Sequence, residues 1–463
     1  AAYPDLARPR RPGSTDVWTR RGLLTTGGVA AILGTTGTAL SGAVDVSGPP
    51  DFTFVSMPDF LNADVADLSG LPTWDGGMNS HNQWWQLAID SCLWAVGSHN
   101  PDAVFVAGDQ VEGRWNVDTD DRRIFGQVSQ GTDEVSLAMC RSAITQAGSV
   151  YYSEYKRLFA ERGMPLYPAL GDHEILDDRS GRINDRWSPK GSHKGRPDNR
   201  YYLVDHAKSV WADHFTRTPE GRPVHRKRPK GSQHEFTAYA ESFGDVFTLI
   251  TVDVFHRHEA GVRLGVFDDQ LRWMKKQIRK AKKKGHVVAV QGHIPALGPY
   301  RVFASGNLHM PEAEKSSFWR AMKRTGADFY LCGEVHDATV VQQGSRQPVQ
   351  ISHGCTYRFG FSYLVGKVWD NGRVTLEYYE LPQVSQSEEL GIWATDHAKL
   401  APNRISYTMP QLRGQLEWHK GVVLSRTEKL GVYDPDNDPY AYEKPPYGLL
   451  GRARKAPRPG PSS

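Results

Sequence analysis

The sequence predicts an α/β layered domain, and three observations carry that prediction. Short apolar, β-prone runs alternate with segments whose apolar residues recur at helical spacing. Five of the runs stop at an Asp, His or Glu beside Gly or Pro, where a layered fold places its ligand-binding loops. Near the end, Asn371-Gly372 joins two strand-like pieces as a hairpin turn.

The elements follow in order. Phe52 to Ser56 is a β-prone run ending in Met57-Pro58-Asp59. Trp84 to Val96 has helical spacing, and Ala103 to Ala107 reads as a buried strand ending in Gly108-Asp109. Tyr151 to Phe159 reads as a helix, and Pro165 to Leu170 leads into Gly171-Asp172-His173-Glu174. Phe247 to Val254 is a strand. Phe267, Leu271, Met274 and Ile278 then mark a helix whose other face is filled by Lys and Arg. His286 to Val290 runs into Gln291-Gly292-His293, and Asp328 to Cys332 into Gly333-Glu334-Val335-His336. Strand-like pieces close the pattern at Pro348–Ser352, Tyr363–Trp369 and Val374–Leu381. Residues 114–135 and the polar stretch 175–235 read as loop insertions of the kind that form lids or binding loops.

At 463 residues, 39% hydrophobic and 23% charged, the chain has the composition of a folded core with elaborations. Its net charge of +4 demands no nucleic-acid partner. Two basic runs, His225 to Lys230 and Arg279 to Lys284, read separately as solvated faces, so no specific nucleic acid is expected. The Trp residues flanking the first two motifs (Trp74, Trp84, Trp85, Trp115) read mostly as core packing, with the lining of a substrate cleft as the alternative, and His353 reads as structural, with support of the metal ligands as the alternative. Four scattered cysteines without a CxxC exclude a disulfide framework and a thiolate zinc knuckle, leaving one or two bridges open, with Cys332 and Cys355 on neighbouring strands. Arg20-Arg21 precedes a weakly apolar, Gly- and Thr-rich run, Leu23 to Leu40, and small residues at Ser41-Gly42-Ala43. This resembles a twin-arginine export signal, with a disordered tail as the bland alternative, and the run is too poor in apolar residues for a stable membrane span. The expected organisation is an export signal at 1–43, a catalytic domain at 51–382 and a C-terminal extension at 383–463 ending in a disordered Pro- and Arg-rich tail.

Hydrolysing a phosphate ester requires charge neutralised on the phosphoryl oxygens and a hydroxide available near neutral pH. Two cations bridged by a carboxylate and completed by His or carboxylate ligands do both. The motifs Pro58-Asp59, Gly108-Asp109-Gln110-Val111-Glu112, Gly171-Asp172-His173-Glu174, Gly292-His293 and Gly333-Glu334-Val335-His336 supply such groups in order. In that order and spacing the chain resembles the calcineurin-like metallophosphoesterase superfamily, which includes the purple acid phosphatases. The resemblance covers roughly 51–382 and implies a four-layer α-β-β-α sandwich. It implies Asp109 as the bridging carboxylate, Asp59 and His336 on the first metal, and Asp172, His293 and Glu334 on the second. It further implies His173 as a non-ligand histidine that stabilises the transition state or protonates the leaving group, with Glu174 behind it to orient the ring.

The departures from the pattern sharpen the expectation. Leu61 stands where many members have a histidine, Glu112 where purple acid phosphatases have a Tyr, Asp172 where Asn is usual, and Glu334 where the last motif begins with His. A shell so rich in carboxylates favours manganese, iron or magnesium over zinc. The expected activity is an exported two-metal phosphoesterase acting on phosphomonoesters or phosphodiesters. The alternatives are a non-catalytic metal- or envelope-binding descendant, or an extracellular nuclease aided by the basic runs.

Overall fold

The computed structural model describes residues 48–428 and 449–450, except 62, 75, 77–82, 118–123, 178–186, 191, 194–195, 302–307, 355–359, 386–404 and 408. The twin-arginine-like segment, Cys355, the side chains of Trp84 and Trp85 and the tail from Arg452 lie outside what is described. The chain runs β1 (Phe52–Ser56), α1 (Gln83–Gly97), β2 (Ala103–Ala107), α2 (Glu134–Ala160), β3 (Leu166–Ala169) and α3 (Arg200–Phe215). It continues with β4 (Tyr239–Phe243), β5 (Phe247–Thr251), α4 (Asp268–Lys283), β6 (Val287–Gln291), α5 (Ser317–Thr325), β7 (Phe329–Cys332), β8 (Thr339–Gln342) and β9 (Val349–Ser352). The last strands are β10 (Gly360–Val368), β11 (Arg373–Ser385), β12 (Ile405–Tyr407), β13 (Gln411–His419) and β14 (Val422–Glu428).

Two sheets carry these strands. One is ordered β14-β13-β11-β10-β1-β2-β3, with β12 on β11, and the other β8-β9-β7-β6-β5-β4. The period-2 alternation of each strand builds the layers. Phe52 and Phe54 of β1 meet Phe247, Leu249, Ala289 and Leu331 of the other sheet in one inner cluster. Stacked rings tighten it, Phe52 on Phe243 at 4.5 Å and Phe54 on Phe105 at 4.8 Å between centroids. The alternate residues Val55, Val104 and Val106 turn outward onto Ile89, Cys92 and Val96 of α1. On the far side Val288, Val290 and Tyr330 pack on Met274 and Ile278 of α4 and Phe318 and Met322 of α5. Helix, sheet, sheet, helix is the four-layer arrangement expected. Truncating a ring at the centre, Phe105→Ala, would cost about 3–5 kcal/mol.

Three regions differ from the sequence reading. α2 begins at Glu134, not Tyr151, started by Asp133, whose side chain accepts from Ser136 N. The stretch 175–235, read as loop, contains the 16-residue helix α3. Its helical signal is masked because the charged Arg200 and Lys208 are themselves buried, held by Asp198 and Asp253. Residues 411–428, without a readable motif, add β13 and β14 to the first sheet beside β11. The hairpin is as expected: Trp369 N donates to Arg373 O at 3.0 Å, and Gly372 takes φ +84°, a conformation that favours glycine. Cys332 is a buried free thiol, so a bridge from it does not form.

Candidate metal centre

β1 and β2 run parallel in one sheet, as do β5, β6, β7 and β9 in the other, so the loops after β1, β2, β6 and β7 gather at one edge. Main-chain hydrogen bonds lock these loops together: Asp59 N donates to Gly108 O at 3.1 Å and Gly333 N to His293 O at 2.8 Å. Asp59, Asp109, Glu334 and His336 all take left-handed φ values, 57°, 56°, 65° and 56°. Such conformations cost non-glycine residues free energy and persist where the surroundings over-determine them. Two glycines allow the close approach. A Cβ on Gly108 would stand 2.5 Å from His293 Nδ1, and one on Gly333 2.4 Å from Asp59 Oδ2.

The ligand-capable atoms fall into two groups that share one residue. Asp109, Asp172, His293 and Glu334 form one, and Asp59, Asp109 and His336 the other, with the atoms of each within 4.8 Å of one another. His293 Nδ1 lies 2.7 Å from the carbonyl oxygen of Ala107, which can only accept, so the ring's proton sits there and Nε2 faces the group. Nε2 is 2.8 Å from Asp172 Oδ1, 3.3 Å from Asp109 Oδ2 and 3.4 Å from Glu334 Oε2. His293 Nε2, Asp109 Oδ2 and Asp172 Oδ1 are buried, yet none completes a hydrogen bond. Convergent donor atoms aimed at one point without mutual hydrogen bonds fit a cation between them. In the second group His336 Nε2 lies 3.0 Å from Asp59 Oδ1.

The electrostatics agree. Burial, reinforced by the Asp172 carboxylate, pushes Asp109 well above the usual carboxylate range and raises Glu334 as well. Burial works against protonation of His293, but the Asp109 carboxylate outweighs it and holds the imidazole well above its ordinary value. Burial also acts on Asp172, where the nearby His293 and His173 rings prevail and lower it. Like charges crowded together out of water require compensation by protons or by a cation.

The remaining residues named from sequence take distinct places. His173 Nδ1 donates to the Glu112 carbonyl oxygen at 2.8 Å, leaving Nε2 3.8 Å from Asp109 Oδ2. Glu174 was expected to orient that ring, and its carboxylate is instead engaged by the main chain. It accepts from the amides of Gly171 at 2.6 Å, Gln110 at 2.7 Å, Asp109 at 3.0 Å and Val111 at 3.2 Å. The physical reason is supply: the turn after β2 presents three successive N–H groups that a buried carboxylate satisfies. Burial nonetheless lifts Glu174 to about 7. Glu112 lies outside both groups, its Oε1 3.0 Å from Arg114 Nε and its Oε2 3.9 Å from His173 Nδ1. Leu61, where a histidine was missed, is buried beside Phe60 in the core. His353 is buried with Nε2 3.0 Å from Ser56 Oγ, and burial pushes it down to about 3.

Sequence reading missed Asp64. It is buried, accepts from Trp115 Nε1 at 2.8 Å and Glu112 N at 3.2 Å, and so fixes the loop that carries Glu112. Burial raises its carboxyl to about 7. No motif marks it, because it acts through a loop distant in sequence. Trp115 packs in the core as expected, its ring 5.9 Å from that of Tyr151.

The family model described as calcineurin-like phosphoesterase matches residues 65–338. Comparison with curated protein sequences gives no significant match. Among solved structures, a dimetal phosphatase from Danio rerio is similar at 14% identity and TM-score 0.41, covering 71% of this chain and 96% of its own. PhoD is similar at 11% identity and TM-score 0.43, covering 82% and 73%. A purple acid phosphatase from yellow lupin (Lupinus luteus) seeds is similar at 13% identity and TM-score 0.40, covering 72% and 52%.

Proposed function

Because the chain belongs to the calcineurin-like phosphoesterase family, we propose that it is a hydrolase of phosphomonoesters or phosphodiesters whose centre holds two cations about Asp109. The observation that carries this reading is the sharing of Asp109 by two buried groups of ligand-capable atoms. Asp172, His293 and Glu334 would hold one cation, and Asp59 and His336 the other. Bound there, the cations would neutralise charge on the phosphoryl oxygens and supply a nucleophile near neutral pH. The carboxylate-rich set supports manganese, iron or magnesium over zinc.

The chain's own groups set the rest of the chemistry. Glu174 holds the Asp109 and Gly171 loops at a fixed separation through their amides. His173, with Nδ1 donated to the Glu112 carbonyl, would carry a second proton on Nε2 and give it to the departing oxygen. Cations restored singly and in pairs to chelated protein, with p-nitrophenyl phosphate and its bis-ester as substrates, test the reading. Turnover is expected with manganese, iron or magnesium, and none with any cation would overturn it. The ratio of the two rates separates monoesterase from diesterase.

The proposal extends to export. Arg20-Arg21 and the run to Leu40 support a twin-arginine route to the cell exterior or envelope. Replacing both arginines with lysine should retain the protein inside the cell, and unchanged export would refute that part alone. Among the described residues no helix is long and apolar enough to cross a membrane.

A further inference from the structure

The two basic runs read separately as solvated faces, and the fold brings Arg226 to Lys230 of the first and Lys280 and Lys284 of the second onto one groove. Along α4 and just past its end, Arg272, Lys276, Lys280 and Lys284 stand four residues apart and line one wall. Arg226, Lys227, Arg228 and Lys230 line the other, and the concavity between them measures about 840 Å³. Successive positions of such a row are about 6 Å apart, and like charges at this spacing destabilise an isolated helix. Compensation within the groove is slight. Among the described residues lining it Asp269 is the one acid, and it pairs with Arg272. Arg228 pairs with Glu235 at 3.0 Å, and Lys227 donates to Ser242 Oγ at 3.0 Å. Arg226, Lys230, Lys276, Lys280 and Lys284 make no ion pair with the described residues, and all five are exposed. Trp273, partly exposed, lines the same groove.

We propose that this groove binds single-stranded nucleic acid through its phosphates, without sequence preference, at a site separate from the metal centre. Facing rows of cations with an aromatic ring in the lining are the combination such binding uses. A concave wall excludes a flat membrane, and with cations predominant in the lining the phosphates carry the affinity. None of the lining residues belongs to either ligand group, so the inference stands or falls apart from the proposed activity.

Fluorescence anisotropy of the full chain with a labelled oligodeoxythymidylate of about 20 nucleotides tests it. Five uncompensated cations predict a slope of about −3.5 in log K against log salt. Lys276→Glu with Lys280→Glu should weaken binding at least about tenfold and make the slope shallower by about 1.4. The thermal melting midpoint and circular dichroism of the double variant should match those of the unmodified chain, which shows that the variant is folded. Absence of binding at low salt, or binding indifferent to the double variant, would overturn the groove. Inorganic polyphosphate of equal charge should bind more weakly, because it offers no base to stack. Equal or tighter binding of polyphosphate would overturn the nucleic-acid assignment.

Discussion

The two halves of the candidate metal centre are built from the same loop edge but to different standards. The half around His293 offers four ligand-capable residues, all buried, with the imidazole fixed by Ala107 and Glu334 Oε1 fixed by the Leu308 amide at 2.7 Å. The half around His336 offers three, and His336 is the one ligand-capable residue of the centre that is not fully buried. Two positions account for the difference: Leu61 is turned into the core, and Glu112 faces Arg114. Motif positions that could have carried ligands are thus taken up by core packing or by an ion pair on one side only, and the halves should hold cations unequally.

Asp109→Asn strikes both halves at once and should lower turnover by at least about 10³-fold, since it removes the shared charge. Steady-state rates with saturating manganese check this. Substitutions confined to one half should separate them. His336→Ala should leave one cation equivalent bound, whereas His293→Ala should lower affinity at the more buried half, and cation counts after dialysis against a graded chelator read both. In the unmodified protein the His336 half should empty first, and simultaneous release would break the comparison. Arg114→Ala removes the guanidinium that faces Glu112. If that pair is what weakens the half, its cation affinity should rise about tenfold; titration calorimetry showing no change would place the weakness at Leu61 alone. The smallest effect is on stability. His353, beneath the Asp59 loop, has a folded pKa of about 3 against an ordinary 6.5, so the unfolded chain binds the extra proton first. Stability should fall as pH drops from about 6.5 towards 3, by up to about 1.4 kcal/mol per pH unit. His353→Gln should flatten that part of the melting curve for cation-free protein.

The strand ends were legible because each joins an apolar run to Gly or Pro and a ligand-capable residue, a pattern that local chemistry imposes. Asp59, Asp109, Asp172, His293, Glu334 and His336 could be named for that reason. α3 was not legible, because its inward face contains Arg200 and Lys208, whose buried partners Asp198 and Asp253 are a matter of tertiary contact. Glu174 could be named but its task could not, since the amides it accepts from are 63 to 65 residues away as well as three. The basic groove shows the same limit, for neither run reveals in sequence that it faces the other.

The central claim is that Asp109 joins two cation sites in one centre. Cation content per chain, measured for the protein loaded with manganese and for Asp109→Asn under the same dialysis, tests it most directly. The account predicts two equivalents in the first and fewer than one in the second. Two equivalents retained by Asp109→Asn, or none bound by the unmodified chain, would contradict it.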